Sequence, residues 1–212
     1  EGIITSSASQ HLKKYISKNK IQFSTSKIDL KKFNNIFLIA VGKSAGTMTE
    51  YVSQKIKFNH GIVVVPKEVT PKLNKKIFEI INAGHPLPNR NSLKAGKNLV
   101  EFLNKTQKND FVLFLISGGG SALSVYPNSI SLRDKILVNE ELIRSGANIN
   151  EIACVRKHLS LIKGGRLTQN MNCKGISFVV SDVIGDDITS ISSGMTSYDK
   201  STFTDALKIL KK

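Results

Sequence analysis

The sequence predicts an α/β protein with a mostly parallel sheet and helices on both faces. Three observations carry that expectation. Strand-sized apolar runs recur at 36–41, 61–66, 77–82, 111–116 and 175–182. Runs that are apolar throughout and bounded by breakers read as strands covered on both faces. Segments with helical spacing alternate with them, the order that joins parallel strands by crossovers.

Taken in order, residues 1–34 are polar, with a weak helical pattern around Leu12 and Ile16 that Ser24-Thr25-Ser26 breaks. IFLIAV at 36–41 is a buried strand, and Gly42-Lys43-Ser44-Ala45-Gly46 is a tight turn. Ala45, Met48, Val52 and Ile56 then mark a helix. GIVVVP at 61–66 and IFEIIN at 77–82 are two further strands joined by a charged loop. Ala83-Gly84-His85-Pro86-Leu87-Pro88 must be a shaped loop, because its two prolines forbid regular structure. A helix follows, capped near Asn91 or Ser92 and carrying Leu93, Leu99, Val100 and Leu103. The strand at 111–116 runs into Ser117, three glycines and Ser121. Ser131 and Asp134 form a capping-box-like start for the next helix, and Gly146 suits its end. Another helix carries Ile152, Val155, Leu159 and Ile162 and stops at Gly164-Gly165. A fifth strand at 175–182 leads into Val183-Ile184-Gly185-Asp186-Asp187, and Ser192-Ser193-Gly194 makes one more loop. Phe203, Ala206, Leu207 and Leu210 line a last helix.

Composition bounds the function classes. With 212 residues, 40% hydrophobic and 22% charged, the chain has material for one good core. No apolar run approaches the ~20 residues of a membrane helix, so no membrane partner is expected. Cys154 and Cys173 have neither metal nor redox spacing and read as free thiols of a reducing cytoplasm. The net charge of +15 raises a nucleic-acid hypothesis. Against it, the lysines are scattered, and no aromatic-interleaved basic strand accompanies them.

Three strand ends carry chemistry beyond what packing requires. Lys43 sits in a glycine turn that opens a helix, where helix-terminal N–H groups and its own charge favour anions. The triplet Gly42-Lys43-Ser44 is no Walker A motif, since the required earlier glycine would fall at Phe37. Ser117, Gly118, Gly119, Gly120 and Ser121 likewise miss the dinucleotide fingerprint but suit a phosphate cradle. The plain alternative is a packing turn. Asp182, Asp186 and Asp187 lie beyond the fifth strand, where carboxylates hold Mg²⁺, take a proton from a hydroxyl, or merely cap turns. Arg156, Ser160 and Lys163 recur at spacings that place them on one helix face, with Lys157 and Arg166 close by. His85 and His158 each stand alone, and His85 reads as a loop residue with room for a polar role. Anion-binding turns, a lysine and clustered aspartates together fit phosphoryl transfer, which needs charge stabilisation above all.

The runs VGKSAGTM, AGHPLPN, ISGGGSAL, RSGANINEIACVRKHLSLIKGGRL and VVSDVIGDDITSISSGMTSYD resemble, in order and spacing, the glycerate 2-kinase family. The resemblance covers roughly residues 35–210. It implies a Rossmann-like N-terminal domain spanning residues 1–212, with a C-terminal domain of the same protein completing an active-site cleft. This chain alone would then be inactive or nearly so. The implied reaction is transfer from ATP, with Mg²⁺, to the 2-hydroxyl of D-glycerate, giving 2-phosphoglycerate. Some family members carry a hydroxypyruvate reductase label, so an NAD(P)H-dependent reductase is the rival expectation. The family's turn lysine falls on Lys43, its glycine loop on Gly118 to Ser121, its arginine–lysine helix on Arg156, Lys157 and Lys163, and its aspartates on Asp182 and Asp186. We expect from this that Lys43 and Asp182 are catalytic and that Ser117, Gly118, Gly119, Gly120, Ser121, Arg156 and Lys163 bind substrate or phosphate. Asp182 and Asp186 would be metal ligands. The chain departs from the family's usual pattern at Asn89, Ala153 and Met195, where Asp, Asn and Pro are expected.

Overall fold

A computed structural model of the chain describes residues 2–23, 25–181 and 187–212. It opens with helix α1 (Gly2–Lys13) and three short strands, β1 (Ile16–Ser17), β2 (Lys20–Gln22) and β3 (Lys27–Asp29). The main body follows as β4 (Ile36–Val41), α2 (Ala45–Ser53), β5 (His60–Pro66), β6 (Phe78–Ala83), α3 (Arg90–Leu103), β7 (Phe111–Ser117) and the one-turn helix α4 (Gly120–Leu123). Helices α5 (Leu132–Arg144) and α6 (Ile149–His158) precede β8 (Lys174–Val180), and α7 (Phe203–Leu210) comes last.

Five strands form one parallel sheet in the order β6-β5-β4-β7-β8. That order and the helices on both faces make the fold Rossmann-like, as the apolar runs predict. Period-two alternation along β4 sorts its side chains. Leu38 and Ala40 join Met48, Val52 and Leu12 on the face covered by α1 and α2. Ile39 and Val41 join Leu99, Leu103 and Leu123 on the face covered by α3 and α4. Leu113 and Leu115 of β7 are fully buried, each contributing about 1.5–3 kcal/mol of transfer free energy. A small third cluster of Leu142, Cys154, Val155 and Ala206 ties α5, α6 and α7 together. Cys154 and Cys173 are free thiols. Among the described residues no helix is long and apolar enough to cross a membrane.

Three expectations need correction. The segment around Ile16 is not helical: Ile16, Ile21 and Ile28 lie on an antiparallel meander. Tyr15 and Phe23 pack on Phe178 of edge strand β8, with centroids 5.9 Å away in both pairs. Tertiary burial, not local pattern, selects these strands. The cap of α3 is Asn89, not Asn91 or Ser92: its side chain accepts from the Ser92 N–H, and Ser92 reciprocates. Helix α6 ends at His158 rather than continuing to Ile162. Residues 126–128 capture the backbone beyond it, with the Leu161 N–H donating to the Tyr126 carbonyl at 2.8 Å and Ser160 bridging Pro127. Arg166 completes that stop by donating to the Lys157 carbonyl at 2.8 Å.

Candidate active site

β4 and β7 are neighbours at the centre of the sheet, and the chain leaves them toward opposite faces, into α2 and α4 respectively. Ligands of open parallel sheets bind beyond the carboxyl ends of strands at such a switch point. The Lys43 turn and the glycine loop both lie there.

The two turns are bonded to each other. The Lys43 N–H donates to the Gly118 carbonyl at 2.9 Å, and the Ser44 N–H to the Ser117 hydroxyl at 3.0 Å. Gly42 has φ +134°, and a Cβ there would collide with the Ser117 carbonyl. The N–H groups of Lys43 and Ser44 are thus spent inside the protein. The first turn offers an anion the exposed Lys43 side chain instead of its amides. Ser117 is buried, and its hydroxyl is a bracket between the turns.

The glycine loop differs. The N–H groups of Gly119, Gly120 and Ser121 are hydrogen-bonded to no other described residue, as befits the start of a helical turn. Gly119 has φ +87°, and a Cβ on it would sit 3.0 Å from His85 Cδ2 and 3.3 Å from Lys43 Cγ. The loop therefore passes directly beneath His85 and the stem of Lys43. From its other side comes the 191–194 turn. Ser192 Oγ donates to the Ser117 carbonyl at 2.7 Å, and the Ser121 and Ser193 hydroxyls meet at 2.7 Å. Ser192 and Ser193 hold φ of +52° and +59°, a left-handed conformation uncommon outside glycine. In the sequence these two serines read as an ordinary loop. Their one local signal is the run Ser192-Ser193-Gly194.

Beside Ser121 lies a cationic pocket. A cavity of about 50 Å³ is lined by Ser121, Ala122, Lys135, Ile136, Asn139, Glu140 and Arg156, and walled by Pro86, Leu87 and Pro88. Lys135 is 6% exposed and Lys163 fully buried. Lys163 Nζ, Arg156 Nε and Asn139 Oδ1 are buried without a hydrogen-bond partner among the described residues. Burial pushes the Lys135 amine down to about 8, with Arg156 adding repulsion. Burial, then Lys135 and Arg156, hold Lys163 well below the ordinary lysine range. Burial also lowers Arg156. Two buried cations and a half-buried third that repel one another are costly unless something anionic joins them.

The expectation that Arg156, Ser160 and Lys163 share a helix face fails, because α6 stops first. Arg156 is on α6 while Lys163 is in the turn beyond it. The fold nevertheless brings the two cations together. Lys135, on α5, completes them and was not expected. Its sequence surroundings, Leu132-Arg133-Asp134-Lys135, look like any solvated first turn. Lys157 has a different fate: its amine pairs with the buried Asp199 carboxylate at 3.4 Å. Burial raises Asp199, but Ser201 and Lys157 outweigh it and hold the carboxyl below the usual range. Arg166 stacks over Phe203 at 5.8 Å and serves the backbone.

Asp182 and Asp186 lie outside the described residues. Among the described residues no group of three His, Cys, Asp or Glu side chains is placed to hold a metal. Asp187 is an exposed turn-former that accepts from Thr189 and Ser190. Asn89 does the capping that an Asp would do, and Met195 is buried with its sulfur 3.7 Å from Ser124 Oγ. A cavity of about 680 Å³ opens at the other end of the sheet between Lys18–Asn19 and Lys55–Phe58. It touches none of the site residues above.

The fold and its crevice define a Rossmann-like domain with a cation-lined, glycine-floored site. The profile of a domain of unknown function, DUF4147, matches residues 1–212, and the chain belongs to that family. A Pyrococcus horikoshii protein named glycerate 2-kinase is 38% identical over 197 residues, covering 92% of this chain and 44% of the relative. A Thermotoga maritima D-glycerate 2-kinase is 41% identical, covering 84% of this chain and 44% of that one. A crystal structure from Pyrococcus horikoshii OT3 superposes with TM-score 0.91 at 36% identity, over 99% of this chain and 48% of the other. The crystal structure of a Thermotoga maritima glycerate kinase gives TM-score 0.77 at 40% identity, over 85% and 44%. The chain therefore spans under half the length of these relatives. An Agrobacterium vitis relative, 44% identical over 63% of this chain and 31% of its own length, is named a putative hydroxypyruvate reductase.

Proposed function

We propose that this chain is the N-terminal, catalytic half of a glycerate 2-kinase. The protein would transfer a phosphoryl group from ATP to the 2-hydroxyl of D-glycerate, giving 2-phosphoglycerate. The observation that supports this most is the convergence at the switch point: open N–H groups at Gly119–Ser121, the Lys43 side chain above them, and the unpaired cations beside Ser121. Both substrates are polyanions or anions, and phosphoryl transfer needs charges fixed in place before the reaction. Lys43 offsets charge on a phosphoryl group or on the glycerate carboxylate. The glycine loop cradles phosphate oxygens with its amides. Arg156 and Lys163 hold anionic oxygen.

Mg²⁺ bound to the triphosphate would supply further charge neutralisation. Its expected ligands, Asp182 and Asp186, lie outside the described residues. A second domain of the same protein would close the site, consistent with relatives more than twice as long. The reductase reading is disfavoured by a glycine loop that lacks the dinucleotide spacing.

The test uses the full-length protein. ATP-coupled phosphorylation of D-glycerate is measured beside oxidation of NADH with hydroxypyruvate. Turnover in the first assay alone is expected, with Lys43→Ala lowering kcat/KM by about two orders of magnitude. NADH oxidation without glycerate phosphorylation would replace the kinase by a reductase. Near-normal turnover of Lys43→Ala would remove that lysine from the mechanism.

A further inference from the structure

The geometry points to a substrate-carboxylate pocket lined by Lys135 and Arg156 beside Ser121, with Lys163 buried close to both and Lys135 a specificity-determining residue. It rests on the kinase reading for the name of its ligand, D-glycerate, but not for the pocket's charge or size.

Three features lead to a compact oxyanion. The first is unmet polarity: among the described residues Arg156 Nε and Asn139 Oδ1, from two residues that line the cavity, and Lys163 Nζ, close to Lys135 and Arg156, are buried and unbonded. Buried polar atoms are seldom left so unless water, an ion or a ligand completes them or a functional role retains them. The second is size. At about 50 Å³ the cavity admits one small group and no triphosphate or adenine ring. The third is position. Ser121 lines the pocket, while Gly119, two residues earlier in the same loop, carries His85 and the Lys43 stem above it. A carboxylate held at Ser121 would leave the rest of a three-carbon acid pointing along the glycine loop. Lys43 then belongs to the phosphoryl group.

Binding must also move protons. Burial pushes Lys135 down to about 8 and, with Lys135 and Arg156, holds Lys163 well below its ordinary range. The charged groups facing Lys135 are Arg156 from α6, Lys163 from the turn beyond it, and Glu140 on its own helix at the cavity wall. Residues 86–88 and 121–122 add no titratable side chain to the wall. An arriving carboxylate favours the ammonium forms, so both lysine pKa values rise and protons are taken up. Affinity should fall as pH rises through 8 and beyond.

The experiment is calorimetric titration of the full-length protein with D-glycerate and, separately, inorganic phosphate, in buffers of different ionisation enthalpy. Steady-state kinetics are run on the same samples. For Lys135→Met the expected result is a loss of D-glycerate affinity and a rise in its KM of at least tenfold, with KM for ATP within twofold of wild type. Lys135→Arg should recover most of the affinity while taking up fewer protons than wild type, which a purely structural lysine would not do. A rise in KM for ATP with glycerate unaffected, or loss of phosphate binding alone, would overturn the carboxylate assignment. Unchanged affinities and proton uptake in Lys135→Met would overturn the pocket altogether. If wild type fails to phosphorylate glycerate yet binds it in a Lys135-dependent way, the kinase reading falls and the pocket stands.

Discussion

Arg156 and Lys157 are neighbours on one helix, yet their charges meet opposite fates. Lys157 turns to a buried carboxylate, Asp199, which is further held by Ser201. Arg156 lines a pocket where Lys135 and Lys163 carry its own sign and Glu140 at the wall is not paired with it. A buried charge with a partner is part of the scaffold. A buried charge without one costs stability in the empty protein and is retained for what it binds. The difference separates architecture from function more sharply than residue type does, since both clusters are made of ordinary basic side chains.

Substitutions that hit the two clusters should therefore have opposite signs. Lys157→Ala leaves Asp199 buried and unpaired and should destabilise the protein by about 3–5 kcal/mol, read as a drop in the denaturation midpoint. A neutral effect would mean that the Ser201 bonds to Oδ1 hold the carboxylate without the amine, although Oδ2 is buried with no hydrogen-bond partner among the described residues. Lys163→Met removes a fully buried amine among like charges and should stabilise the empty protein by about 1–3 kcal/mol. A loss of stability there would mean that the amine has a partner and that the pocket is not short of negative charge.

A pH series sharpens the same contrast. The folded Lys135 titrates at about 8, below the ordinary 10.5. Below pH 8 it is charged in both states, so the native state bears its full penalty. Between pH 8 and 10.5 the unfolded chain binds more protons, so this residue's contribution to stability should improve as pH rises. Lys135→Met should flatten that rise. Asp199 behaves in the reverse sense: its folded pKa is lowered. The stability it contributes is present above the ordinary carboxyl pKa and is lost as pH falls through the folded value. The smallest effect belongs to the scaffold's ends. Asn89→Ala removes the α3 capping box and should cost about 1 kcal/mol without altering anion binding.

Much of this was legible in the sequence, and for one reason. Central parallel strands must be apolar on both faces, so IFLIAV and FVLFLI declare themselves, and their ends locate the site. Lys43, the glycine loop and the pair Arg156 and Lys163 followed from those ends and from the family resemblance. What escaped depends on contacts between distant segments. The 16–29 meander has strands of two or three residues, too short to show a period. The end of α6 is set by Tyr126 and Pro127, some thirty residues upstream. Lys135 looks solvated until α4, α6 and the 86–88 loop close over it. Ser192 and Ser193 matter through the backbone conformation that their contacts with Ser117 and Ser121 accompany.

The claim that the unpaired cations await an anion is tested most directly by melting the full-length protein with and without D-glycerate at constant ionic strength. Wild type should gain in Tm as glycerate is added, whereas Lys163→Met should start from a higher Tm and gain little. An equal glycerate-dependent rise in both proteins, from equal starting points, would contradict it.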